Sequence, residues 1–86
     1  VYKIVFSEGF DQQFRKLVKN DRRYQIKVRK IVEIIKQDID YPSLRLHKLS
    51  GTKFHSISVG MSIRIIALIE KDIIFFLKIG KHEDVY

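Results

Sequence analysis

The residues of this sequence best suited to chemistry are His47, His55, His82, Arg64, Lys81 and Tyr86. An imidazole titrates close to neutrality, so a histidine can take or give a proton at cellular pH. A guanidinium stays charged, and its fork of donors can hold two oxygens of one phosphate. Arg64 stands inside the apolar run Ile63-Arg64-Ile65-Ile66-Ala67-Leu68. A charge there is costly unless it is paired or faces a site. An ion pair with Glu70 or Glu83 is the structural alternative. His82 follows Lys81 behind a second apolar run, Ile73 to Leu77, and Tyr86 stands four residues further on. Gly80, just before Lys81, is expected to release the backbone as that run ends. Tyr86 could stack on a base, donate a proton or simply close the core. His47 lies in a leucine-anchored loop beside Arg45 and Lys48, and His55 opens a strand next to Phe54 as a solvent-facing side chain.

These groups suit metal-free cleavage of RNA. The nucleophile is the substrate's own 2′-hydroxyl, so the protein need supply only a base, an acid and cations for the charge on the phosphate. His82, Arg64, Tyr86 and His47 are the catalytic candidates. Lys81, Lys48, Lys53, Arg45, Lys27 and Lys30 are candidates for holding RNA phosphates. The histidine spacing gives no local ligand pattern and there is no cysteine, so no metal site and no small-molecule cofactor are expected. A glycine-rich phosphate loop and a GxSxG motif are both absent, and no serine is marked as a nucleophile.

The net charge is +7. Its distribution says more than its size. Arg15, Lys16, Lys19, Arg22, Arg23, Lys27, Arg29, Lys30 and Lys36 fall in one stretch, opposed only by Asp21 and Glu33. Such a surface attracts a polyanion or an acidic protein. No stretch pairs basic residues with an exposed Trp/Phe/Leu face, which argues against a membrane surface. No apolar run approaches the roughly 18–20 residues that span a bilayer, and the amino end does not read as a signal peptide. The absence of cysteine suits a reducing, cytoplasmic location.

The elements that must position these residues follow from periodicity. Residues 2–6 alternate as a strand. Ser7 is a plausible N-cap, with Glu8 and Asp11 in the first turn of a helix. Phe10, Phe14, Leu17 and Val18 repeat at helical spacing until Asn20-Asp21 breaks the pattern. Tyr24, Val28, Ile31 and Ile35 give the stripe of a second helix, which Asp21 can cap. Residues 43–53 read as an ordered loop anchored by Leu44, Leu46 and Leu49. Three strand-like runs follow, Phe54 to Val59, Ile63 to Ile69 and Ile73 to Ile79. The last two are apolar on both faces and belong in the sheet centre. The order β-α-α-β-β-β predicts an α+β fold with a twisted, largely antiparallel sheet packed against an N-terminal helical hairpin. The first strand is expected to join the sheet beside the last.

The opening strand YKIVFS, the basic helix pair, LHKLSG, IRII and the tail IGKHEDVY together resemble the RelE/ParE superfamily of bacterial toxin–antitoxin toxins. The tail is most similar to the YafQ and RelE/StbE branch. The resemblance covers nearly the whole chain and implies one RelE-like toxin domain over residues 1–86. It implies an endonuclease that cuts mRNA on the ribosome, stops translation and arrests growth, with 16S rRNA as a contact. It also implies a cognate antitoxin that wraps and blocks the toxin. By position, His82 looks like the YafQ-type catalytic histidine, Tyr86 like the terminal aromatic, Arg64 like the arginine at the scissile phosphate and His47 like the loop histidine. Two departures stand out. Basic residues usual on the second strand of RelE-like enzymes are replaced by Ser56-Ile57-Ser58, and Gly60-Met61-Ser62 lacks the acidic and aromatic pair of YafQ. The superfamily also contains ParE-type gyrase poisons that cleave nothing, and a decayed, antitoxin-binding member remains an alternative.

Overall fold

The structure, a computed structural model, describes residues 1–60 and 62–85, with Asp84 described by its backbone alone. Strand β1 (Lys3–Phe6) leads into helix α1 (Glu8–Asn20) through Ser7. The Ser7 hydroxyl accepts the Phe10 N–H at 3.0 Å and donates to the Leu77 carbonyl at 3.1 Å. One side chain thus caps the helix and ties it to the sheet. Ser7→Ala should cost about 1–2 kcal/mol of stability, read as a lower urea midpoint with an unchanged slope. An unaltered midpoint would remove Ser7 from that role.

Helix α2 (Arg23–Gln37) follows with a two-residue break. The Asp21 carboxylate accepts the Arg23 backbone N–H at 3.1 Å, which is the capping expected of it. It also accepts the Arg23 guanidinium at 3.0 and 2.7 Å, and those hydrogen bonds hold its carboxyl at about 2. Val28, Ile31 and Ile35 are buried, with Tyr24 packed against them, so the stripe read at helical spacing is the buried face.

Beyond α2 the structure departs from a plain loop. Pro42–Leu44 make one tight helical turn, and His47–Lys48 form a two-residue strand, β2. Leu44 is buried, and Arg45 reverses the chain in the left-handed region with φ 48°. Strands β3 (Phe54–Ser58), β4 (Ile63–Glu70) and β5 (Ile73–Lys81) then form a meander, and α3 (His82–Val85) ends the described chain. The sheet order is β1-β5-β4-β3-β2. β1 runs parallel to β5, and the other pairs are antiparallel. The first strand therefore does sit beside the last, and the two doubly apolar runs are inner strands.

Alternation and register sort the side chains into two layers. Ile57, Ile63, Ile65, Ala67, Ile74, Phe76 and Ile79 face the hairpin and form one core with Phe10, Val28, Ile31 and Ile35. Phe10 and Phe76 have ring centroids 5.4 Å apart, and Phe6 lies 5.5 Å from Phe76. β1 pairs only as far as Phe76, so β5 has no strand on that edge beyond it. The Gln13 side chain fills the role at Ile79, whose N–H it accepts at 2.9 Å. A β-bulge opposite Ile66/Ala67 inserts Leu77 as an extra residue in β5. Gly80 does not turn the chain as expected. It lies within β5, directly opposite Arg64, and the strand continues to Lys81.

Candidate active site

The face of the sheet away from the hairpin carries Arg64. Register places Ser58, Arg64 and Gly80 in one row across β3, β4 and β5. The next row holds His47, Ser56, Ile66 and Lys78. Arg64 Nη1 donates to Ser58 Oγ at 2.8 Å and to the Gly60 carbonyl at 3.5 Å. Ser58 Oγ in turn donates to that carbonyl at 3.2 Å. Among the described residues no carboxylate pairs with Arg64, so the ion pair with Glu70 or Glu83 does not form. A half-buried guanidinium is thus held through one nitrogen by two neutral groups, while its other donors make no described hydrogen bond. Among the described residues no anionic group neutralises its charge.

Ser58, read from the sequence as a missing cation, is therefore the residue that orients Arg64. A hydroxyl directly opposite an arginine in the register is the signal, and it exists only once the strand pairing is known. Lys27 joins the same place from α2. Its Nζ lies 3.6 Å from where a side chain on Gly60 would begin, and it also sits over the Tyr24 ring, 5.1 Å from the centroid. Lys30 is exposed nearly one turn further along α2.

His82 begins α3 at the end of β5, and its backbone N–H donates to the Ser62 carbonyl at 3.2 Å. That bond joins the exit of β5 to the entry of β4, two residues from Arg64. His82 is exposed. Lys81 is exposed beside it, but alternation turns it toward α1. There it lines a hollow of about 240 Å³ with Gln13 and Lys16. Tyr86 lies outside the described residues.

His47 shares the Arg64 face from the sheet edge, two strands across and one row along, roughly 10 Å by 7 Å in backbone spacing. It is exposed, with Nδ1 at 3.1 Å from the Arg45 carbonyl. Lys48 pairs opposite His55 on the other face. Lys53 is exposed at the far end of β3 from Ser58, and Arg45 is exposed in the loop before β2. The structure thus joins Arg64 to Ser58, brings Lys27 to Gly60 and the His82 backbone to Ser62, sets His47 on the Arg64 face, and leaves Lys48, Lys53 and Arg45 apart.

His55 differs from its expected role as a solvent-facing side chain. It is half-buried, and its Nδ1 is buried without a hydrogen-bond partner. Burial lowers its pKa below the ordinary 6.5, helped by the charges of Lys48 and His47. The unfolded chain then binds the proton more readily than the folded one, so stability should fall as pH drops below about 6.5. Urea midpoints between pH 8 and pH 5 should show that slope, and His55→Leu should flatten it. An equal slope in the variant would place its source elsewhere.

No protein-family model and no curated protein sequence matches the chain. Solved structures match in fold. A copper-bound mutant toxin from Helicobacter pylori superposes with a TM-score of 0.78 at 22% identity, over 100% of both chains. A DinJ-YafQ toxin–antitoxin complex from Escherichia coli gives 0.80 at 15%, over 99% of this chain and 97% of that one. A YoeB-YefM complex from Staphylococcus aureus gives 0.77 at 15%, over 95% and 98%. At these identities the likeness is one of fold, and that fold is the RelE-type α+β architecture. Among the described residues no three His, Cys, Asp or Glu side chains converge to hold a metal ion.

Proposed function

We propose, from the RelE-type fold shared with these toxins, that the chain is the toxin of a type II toxin–antitoxin system and cleaves mRNA on the ribosome. The observation that carries the reading is Arg64: a half-buried guanidinium with neutral partners among the described residues, on the sheet face away from the hairpin, beside the strand end that bears His82. In this reading Arg64 grips the scissile phosphate, with Lys27 and Lys81 adding positive field from either side of the strand end. The substrate 2′-oxygen attacks phosphorus and its proton passes to an imidazole. The bond from phosphorus to the 5′-oxygen breaks, and that oxygen takes a proton from a second group. The products are a 2′,3′-cyclic phosphate and a 5′-hydroxyl, so atoms and protons balance. His82 exchanges one proton, and His47 or Tyr86 is the second participant. The cations of α2 bind ribosomal RNA.

The partner is a cognate antitoxin, as in the DinJ-YafQ toxin–antitoxin complex, with acidic groups to meet the basic surface of α2, and the site of action is the cytoplasm. No described helix is long and apolar enough to cross a membrane. The test is primer extension on cellular mRNA after induction of the toxin. New 5′ ends within codons are expected. Growth arrest with an SOS response and no new ends would instead identify a gyrase poison of the ParE type, and an absence of toxicity would identify a decayed member.

A further inference from the structure

One hollow on the Arg64 face has no part in the steps above. It has a volume of about 460 Å³ and is walled by Phe54, Ile66, Leu77 and Val85, with Thr52 and Lys78 at its rim. Its floor is Ile66, 5% exposed, and Phe54 is only half-buried, so part of its ring is open. The bulge at Leu77 makes the hollow: by breaking alternation it puts Leu77 and Lys78 on the same side, an apolar wall and an exposed cation together.

The position of the hollow suggests its occupant. Ile66 lies two residues along β4 from Arg64 on the same face, about 7 Å away. That is the order of the span from a ribonucleotide's phosphate to its base. Single-stranded RNA is read largely by bases stacked on aromatic side chains. The Thr52 hydroxyl is already engaged, donating to the Leu49 carbonyl at 2.9 Å and accepting the Phe54 N–H at 3.1 Å. The other polar side chains lining it are Ser50 and Lys78 against five apolar ones, so discrimination falls mainly to shape and stacking area. We propose that this hollow receives the base of the nucleotide whose phosphate sits on Arg64, and that it favours a purine. Lys78 lies at its mouth, where a neighbouring phosphate would pass. The inference rests on the RNA-cleaving reading of the same face.

The test is an NMR titration of the full chain with adenosine 5′-monophosphate, uridine 5′-monophosphate and ribose 5-phosphate. Adenosine monophosphate should move the Phe54, Ile66 and Leu77 signals and bind at least about fivefold more tightly than ribose 5-phosphate, with the uridine compound between them. Phe54→Leu, which keeps the apolar wall and removes the ring, should erase that difference. Leu77→Trp, which fills the hollow, should do the same. Equal affinity for the three compounds, or shifts confined to the Arg64 row, would overturn the proposal. The two readings separate cleanly. Base-dependent binding without mRNA cleavage refutes only the nuclease, whereas cleavage without base-dependent binding refutes only the hollow.

Discussion

Arg64→Ala is expected to lower RNA cleavage by about a hundredfold to a thousandfold, the usual cost of removing one preorganised donor to developing charge. Growth arrest on induction should disappear with it. The fold should survive, because among the described residues Arg64 gives up only hydrogen bonds to a serine hydroxyl and a glycine carbonyl, and both partners can turn to water. Arg64→Lys should recover part of the rate: the charge returns, but the fork that holds two phosphate oxygens does not. His82→Ala should cost about a hundredfold or more by removing a proton carrier. The distinguishing measurement is single-turnover cleavage on programmed ribosomes alongside circular dichroism of each variant. Folded Arg64→Ala and His82→Ala proteins that remain as toxic as the parent would defeat the assignment of the site.

Phe76→Ala should destabilise the protein by about 3–5 kcal/mol, the range for deleting a fully buried aromatic. Phe76 is 0% exposed on β5, and its ring meets those of Phe6 and Phe10. A small domain typically holds about 5–15 kcal/mol in total, so the loss would leave little margin. The variant should unfold at a much lower urea concentration and express poorly. Phe76→Leu, which keeps most of the volume, should cost far less. A midpoint for Phe76→Ala within experimental scatter of the parent would mean that the core closes around the gap, and that the ring cluster is not what holds β1 and α1 to the sheet.

The main elements are legible in the sequence because their periods are clean. Val28, Ile31 and Ile35 mark one face of a helix, and the runs on either side of Lys71-Asp72 are too apolar for an edge. β2 is not legible: two polar residues, His47 and Lys48, have no period, and only pairing with β3 makes them a strand. The place of Gly80 escapes the sequence for the same reason, since a glycine's role depends on what lies opposite it. The candidate site divides along the same line. Arg64 and His82 can be singled out by residue type and setting. Ser58, Lys27 near Gly60, and the hollow beside Ile66 depend on cross-strand register, on the helix-to-sheet approach and on a bulge, none of which leaves a local pattern. His55 departs from expectation because burial of one ring nitrogen is set by packing, not by neighbours in sequence.

The parallel pairing of β1 with β5 has a kinetic consequence. Ser7 bonds to Leu77 across 70 residues of chain, so the first strand cannot find its place until the last strand is available. Contacts this distant in sequence slow folding, because the loop between them must be closed before they repay it. On a translating ribosome the hairpin of α1 and α2 emerges early, with its aromatic face lacking the sheet that covers it. Gln13 and Ser7 wait for the same late strand. Arg64 has Ser58 beside it sooner, but the segment that brings His82 arrives with β5. Assembly of the candidate site and completion of the sheet are thus one late event, set by the docking of β5.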